Sequence, residues 1–219
     1  MTGGFDWRLA SVDRQSTTDR VCIQLRAAML EGRLPPGERL REVVLAEIFG
    51  TGRSAIREAL RQLVQEGLVV MRPNRGARVR EISIDDVVDI YAAREAIETA
   101  AVARAVGAGS CVDVSALCAA HDRMRIAWSG RERTPLAELV TANLAFHVAI
   151  VGLARSPRLS RVFEPLAAES QMAITSRMVA LDQASTEVHG RILTAIAHRS
   201  PDAVRLVREH LRVDQPAVG

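Results

Sequence analysis

The chain has 219 residues, enough for one large or two small domains, and its 29 basic residues exceed 26 acidic ones by a formal net charge of only +3. Aromatic residues make up 3% of it, too few for the stacking platforms of single-strand or RNA binders, and Cys22, Cys111 and Cys118 show no paired spacing, which argues against a disulfide scaffold or a cysteine metal site. No N-terminal signal pattern and no apolar run of bilayer-spanning length is found, so a protein of the reducing cytoplasm is expected.

Residues 1–15 carry no clear period and read as a flexible arm. Thr17 or Thr18 can cap a helix in which Val21, Leu25, Ala28 and Met29 recur at helical spacing, ending at Gly32. Leu34-Pro35-Pro36-Gly37-Glu38 is a rigid turn. A short scaffold helix follows over 41–49, with Val44, Leu45 and Ile48 expected to face inward. Gly50-Thr51-Gly52 then turns the chain into a helix over 53–66. On that helix Ile56, Ala59, Leu60 and Leu63 share one face, while Arg53, Arg57 and Arg61 form a stripe beside it at i, i+4 and i+8. Gly67 can close the helix in the left-handed conformation, and 68–72 and 77–80 read as two strands around Pro73-Asn74-Arg75-Gly76.

That order predicts a winged helix-turn-helix over 16–82. Arginine suits a helix that enters the major groove, because its planar fork pairs with guanine and also neutralises phosphate. The alternative for three arginines is a solvated basic face. The wing shifts the balance, since residues 51–80 hold seven Arg against two acids. Overall, 1–82 carries fourteen Arg and ten acids, +4, whereas 83–219 carries fifteen and sixteen, −1. Every basic residue is Arg, which reflects GC-rich coding as much as phosphate contacts, so the raw count weighs little. The candidate DNA contacts are Arg41, Arg53, Ser54, Arg57 and Arg61, with Asn74, Arg75 and Gly76 on the wing. One short helix reads only a half-site, so a homodimer on a palindromic operator in double-stranded DNA is expected.

From residue 83 onward the pattern is helical. Ser83 with Asp86 resembles a capping box, and helices are expected over 84–107, 112–129, 135–154, 157–181, 184–199 and 201–214, with Pro165 kinking or splitting the fourth. The fold class is therefore mainly α, an N-terminal winged helix-turn-helix domain followed over 83–219 by an antiparallel helical bundle for effector binding and dimerisation.

Three histidines stand on inward faces of that bundle. His147 lies on a segment apolar nearly all round with Asn143 one turn before it, His189 shares a face with Ile192, Leu193 and Ile196, and His210 shares one with Ala203 and Val207. Each alone reads as a hydrogen-bonded core histidine. Together, imidazoles from three helices can converge on a transition metal. His198 falls on the opposite side from His189 and reads as surface. No phosphate loop, dinucleotide fingerprint, HExxH or nucleophile elbow occurs. A catalytic zinc would need an open position and a general base, and no Glu or Asp is evident beside the histidines.

The run GRLPPGERLREVVLAEIFGTGRSAIREALRQLVQEGLVVMRPNRGARV resembles the DNA-binding domain of the GntR transcription-regulator family over its whole length. It departs at Gly52, where the family usually has a capping Ser or Thr, and at Ala55, where Pro or Thr is common. Asn143-x-x-x-His147, His189, His210, the segment Arg94-Glu95-Ala96-Ile97-Glu98 and Phe146 resemble the FCD effector-binding domain of the fatty-acid-regulator branch, in its VanR-like six-helix variant. The resemblance implies a divalent transition metal held by Asn143, His147, His189 and His210, with zinc the default and nickel or manganese the alternatives. Asn143 stands where that family usually has Asp, which leaves the centre one unit more positive. The expected protein is a repressor, not an enzyme, answering to a small carboxylate that completes the metal's coordination and meets Arg94. The alternatives are a metal-dependent enzyme, or a regulator whose metal-free bundle only dimerises. For Arg94 itself, pairing with Glu98 at i+4 is the competing role.

Overall fold

The computed structural model describes residues 16–72, 75–107, 112–176 and 184–213; the expected arm over 1–15, Asn74, Cys111 and the end of the helix expected to reach 181 lie outside them. The N-terminal part runs α1 (Thr17–Leu30), β1 (Arg39–Leu40), α2 (Glu42–Phe49), α3 (Arg53–Gln65), β2 (Val69–Arg72) and β3 (Gly76–Val79). Ser16, rather than Thr17 or Thr18, caps α1. Its hydroxyl accepts from the Asp19 amide and the Asp19 carboxylate accepts from the Ser16 amide, both at 3.0 Å. A reciprocal box needs an acid three residues on, and only Ser16 has one.

The sheet order is β1-β3-β2, antiparallel throughout, with Leu40 opposite Ala77 and Val69 opposite Val79. Strand β1 has no pattern of its own in the sequence. It exists because β3 pairs with it, and because the Gly37 amide donates to Val79 O at 3.0 Å while the Val79 amide donates to Glu38 O at 2.9 Å, fastening the PPG turn to the wing.

Helix α2 corrects the expectation for its inward face. Leu45 is buried, but Val44 and Ile48 are 43% and 70% exposed. At 100° per residue they lie on one side of Leu45, whereas Ala46 and Phe49 lie on the other and pack against the core. Helix α3 has the expected face: Ile56, Ala59, Leu60 and Leu63 are all buried. Gly50 and Gly67, at φ +59° and +76°, bring the chain out of α2 and α3 through left-handed turns.

The bundle comprises α4 (Ile84–Gly107), α5 (Ser115–Ser129), α6 (Leu136–Gly152), α7 (Pro157–Thr175), α8 (Ala184–Ala197) and α9 (Ala203–Val213). The Ser83 hydroxyl accepts from the Asp86 amide at 3.1 Å and the Asp86 carboxylate accepts from the Ser83 amide at 2.9 Å, so the capping box before α4 is formed. Helix α4 lies in the middle, against α6, α7 and α9. Pro165 does not split α7, which continues through it. The winged part leans on this same helix: α1 packs on α7, and the Thr175 hydroxyl donates to Leu30 O at 3.2 Å.

Candidate functional site

Two sites emerge, one on α3 and one in the bundle core. On α3 the apolar face turned to α1 and β2 leaves Arg53, Ser54, Arg57 and Arg61 exposed. Gly52 is the N-cap and contributes no side-chain hydrogen bond, in line with the missing Ser or Thr. Arg57 donates from Nε to Glu42 Oε2 at 2.7 Å, and Arg61 pairs with Glu58. The first of these contacts brings the start of α2, where exposed Arg41 is the N-cap, up to the arginine stripe. Sequence reasoning missed Glu42 as a partner; it lies fifteen residues from Arg57 in the chain. An exposed ion pair of this kind contributes about 0.2–1 kcal/mol, so it orients Arg57 without holding it back from a phosphate or a base. Arg75 and Gly76 are exposed at the wing turn, where the Arg75 amide donates to Arg72 O at 3.0 Å and Gly76 takes φ +74°.

In the bundle, α6 supplies Asn143 and His147, α8 supplies His189 and α9 supplies His210, all buried. The structure brings the three imidazoles together. His147 Nε2 lies 3.2 Å from His189 Nε2 and 3.4 Å from His210 Nε2. The rings of His147 and His210 stack within 5° of parallel, and His189 meets both edge-on, backed by Phe146. His198 is exposed, as expected.

Behind His147 sits a group that sequence reasoning had not placed there. Glu98 Oε2 accepts from His147 Nδ1 at 2.7 Å, and Glu98 Oε1 accepts from Arg94 Nε at 3.0 Å. The expectation that no acid stands beside the histidines is therefore corrected. The signal was the i, i+4 spacing of Arg94 and Glu98 on α4, which are 1% and 0% exposed; a buried charged pair on a central helix must face something polar. Arg94 also donates from Nη1 to Ser170 Oγ at 3.4 Å and lies 4.8 Å from the centre of the Tyr91 ring. The pairing with Glu98 is thus present.

Burial pushes the Glu98 carboxyl up from the usual carboxylate range, and the Arg94 guanidinium and His210 pull it back. Burial drives His147 well below its ordinary value, helped by Arg94. His210 is pushed down to about 2, by burial first and then by His189 and His147. Neutral imidazoles are the protonation state a metal requires.

The donor set fits a transition metal. Imidazole nitrogens about 2.0–2.1 Å from a tetrahedral zinc stand roughly 3.3 Å apart, close to the two separations measured from His147 Nε2, and ligand atoms of all three histidines lie within 4.8 Å of one another. A carboxylate on the far nitrogen of a ligand histidine fixes its tautomer with the Nε2 lone pair forward. Asn143 Nδ2 is buried and has no hydrogen-bond partner, and turning the amide over would put Oδ1 in its place. Glu98 is poorly placed as a general base, because it engages the nitrogen of His147 that faces away from the cluster.

Residues 17–79 match the family model described as bacterial regulatory proteins, gntR family, and residues 89–213 match the FCD domain. Among curated proteins, the "Probable D-xylose utilization operon transcriptional repressor" of Paenarthrobacter nicotinovorans is 30% identical over 190 residues, covering 85% of this chain and 82% of that protein. The HTH-type transcriptional repressor GlaR of Escherichia coli is 30% identical over 203 residues, covering 89% and 92%. Among solved structures, a GntR transcriptional regulator from Rhodococcus sp. RHA1 superposes with a TM-score of 0.79 at 25% identity, over 90% of this chain and 95% of that one. McbR/YncC of E. coli superposes at 0.73 with 23% identity, over 90% and 94%, which shows the shared fold. The two curated relatives and the Rhodococcus protein are regulators of transcription. The chain belongs to the GntR family of bacterial regulatory proteins, as a DNA-binding transcription regulator with an FCD domain.

Proposed function

We propose that this regulator is a homodimeric repressor whose winged domains read a palindromic operator and whose bundle binds a divalent metal, zinc by default, together with a small carboxylate that releases DNA. The observation that carries the reading is the convergence of three buried imidazoles, with the Glu98 carboxyl 2.7 Å from the far nitrogen of His147. His147, His189 and His210 are the ligands, and Asn143 is a weak fourth. The metal, when bound, supplies positive charge and open coordination positions for a carboxylate oxygen. Arg94 is the second contact for that carboxylate, exchanging its long bond to Ser170 for a charged partner. The exposed Arg41, Arg53, Ser54, Arg57 and Arg61, with Asn74, Arg75 and Gly76 of the wing, contact DNA; the cytoplasm is where such a protein works.

Neutral Asn143 in place of an acid leaves the centre more positive and strengthens its attraction for an anion. The test has two parts. Protein purified without an affinity tag is analysed for metal, and operator duplexes selected from a random pool are challenged with hydroxy-, keto- and dicarboxylic acids. One zinc, nickel or manganese per chain and release by carboxylates on wild type but not on His189→Ala are expected. Absence of metal, with no gain in melting temperature on adding zinc or nickel, would defeat the metal reading. Release by a neutral or cationic compound would defeat the carboxylate.

A further inference from the structure

The described hydrogen bonds between α7 and the winged part come from the stretch of α7 that follows Pro165. Thr175 holds Leu30 O at the end of α1, and its methyl group lies where a Cβ on Gly32 would touch it at 3.3 Å. Glu169 accepts from Arg80 Nη1 at 2.8 Å, and it crowds Gly67 so closely that a Cβ there would collide with its carboxylate. Arg80 is the residue after β3. Its amide donates to Leu68 O at 2.9 Å, and its other terminal nitrogen donates to Asp86 Oδ1 at 2.8 Å in the capping box of α4. One guanidinium therefore ties the wing, the start of α4 and α7 together.

The same stretch of α7 also reaches the centre of the bundle. Ser170, next to Glu169, is fully buried and receives Arg94 Nη1, while Arg94 Nε is held by Glu98, whose other oxygen holds His147. Pro165 has no amide proton, so the carbonyl four residues before it lacks its helical donor and α7 is weakened just ahead of this stretch. The Ser170 hydroxyl donates to Leu166 O at 2.7 Å, inside the stretch and not across the weak point.

We propose that residues 166–175 of α7 act as a lever: its buried side reads the state of the histidine centre through Arg94, and its other side sets the position of the wing through Glu169 and Arg80. The inference rests on the regulatory reading above but not on which metal occupies the centre. Displacement of Arg94 from Ser170 shifts the lever, and the Glu169–Arg80 contact passes that shift to β3. Arg80, Glu169 and Ser170 are positioning residues; none needs to touch DNA or effector.

The experiment is amide hydrogen exchange on the full-length protein, read at residues 69–72 and 76–80, comparing Arg94→Met with wild type in two backgrounds, Glu169 intact and Glu169→Gln. Ser170→Ala serves as a second, milder perturbation should Arg94→Met fold poorly. Exchange in the wing is expected to change by roughly 2- to 30-fold with Glu169 intact, the range of coupling along packed networks, and to be nearly unchanged in the Glu169→Gln background. An equal change in both backgrounds, or no change in either, overturns the lever. Metal content of the same samples, and their melting temperature with added zinc or nickel, are measured alongside: no metal and no gain in melting temperature would sink the metal reading while the exchange comparison still decides the lever.

Discussion

Replacing Glu98 by Gln keeps the size and shape of the side chain and removes its charge, at a place where both oxygens are in use. The carboxylate accepts from Arg94 and from His147 at once. An amide has one oxygen, so its NH2 must face either the guanidinium, donor against donor, or His147 Nδ1. In the second case the imidazole has to present a lone pair at Nδ1 and carry its proton on Nε2, where it can no longer hold a metal. Loss of such an orienting partner costs about 10- to 100-fold in metal affinity, roughly 1.4–2.8 kcal/mol at tenfold per 1.4 kcal/mol. The first case takes the Glu98 charge and hydrogen bond away from Arg94, which at 1% exposure has little solvent to replace them. Removing one partner of a buried pair costs about 3–5 kcal/mol. At about 2–4 °C per kcal/mol for a chain of this size, metal-free Glu98→Gln should melt some 6–20 °C below wild type. Zinc titration against a competing chelator and calorimetry of metal-free protein measure the two effects. Wild-type zinc affinity combined with a melting temperature within about 2 °C of wild type would refute the account of Glu98.

Asn143→Asp adds a charged oxygen to the centre, and zinc should bind about tenfold tighter or better; an unchanged or weaker affinity would remove Asn143 from the ligand set. Arg57→Ala should cost about 1–3 kcal/mol per half-site in a shift assay at physiological salt and relax specificity, with the fold intact. Arg75→Ala at the wing should instead weaken binding to all sequences and lower the salt slope by about 1; sequence-dependent losses for Arg75 and uniform ones for Arg57 would reverse the two roles. Gly67→Ala meets both a left-handed φ of +76° and the Glu169 carboxylate, so it should lose more than the ~1–2 kcal/mol of backbone strain alone in urea unfolding. A loss below that figure would mean that Glu169 yields its place freely.

Periodicity suffices for the long elements, because each buries one continuous stripe: helix 84–107 is legible to the residue, and α5, α6, α8 and α9 to within three residues at each end, whereas α7 ends at Thr175, short of the expected 181. It fails where an element takes its structure from a neighbour. Strand β1 is two residues long and defined only by β3. Helix α2 is eight residues long, too short for its apolar positions to reveal which of two flanks of Leu45 docks. In the bundle, the inward phase of His147, His189 and His210 is legible from their own helices, and the structure places all three together. The role of Glu98 is not, since its partner His147 lies 49 residues away. The contact of Arg80 with Glu169 escapes for the same reason, the two lying 89 residues apart.

The buried polar centre has a further consequence for how the chain is made. Every described partner pair inside the winged part is complete once residue 80 is made: α1 meets α3, and the wing pairs with itself and with β1. The bundle centre is assembled from afar. Glu98 waits 49 residues for His147, Arg94 waits 76 for Ser170, and His147 waits a further 63 for His210. The N-terminal part is synthesised first, so the DNA-reading unit can fold while α4 still carries an internally paired Arg94 and Glu98 with no core around them. The i, i+4 pairing of those two residues matches each charge within one turn of α4 before any of the distant partners exists.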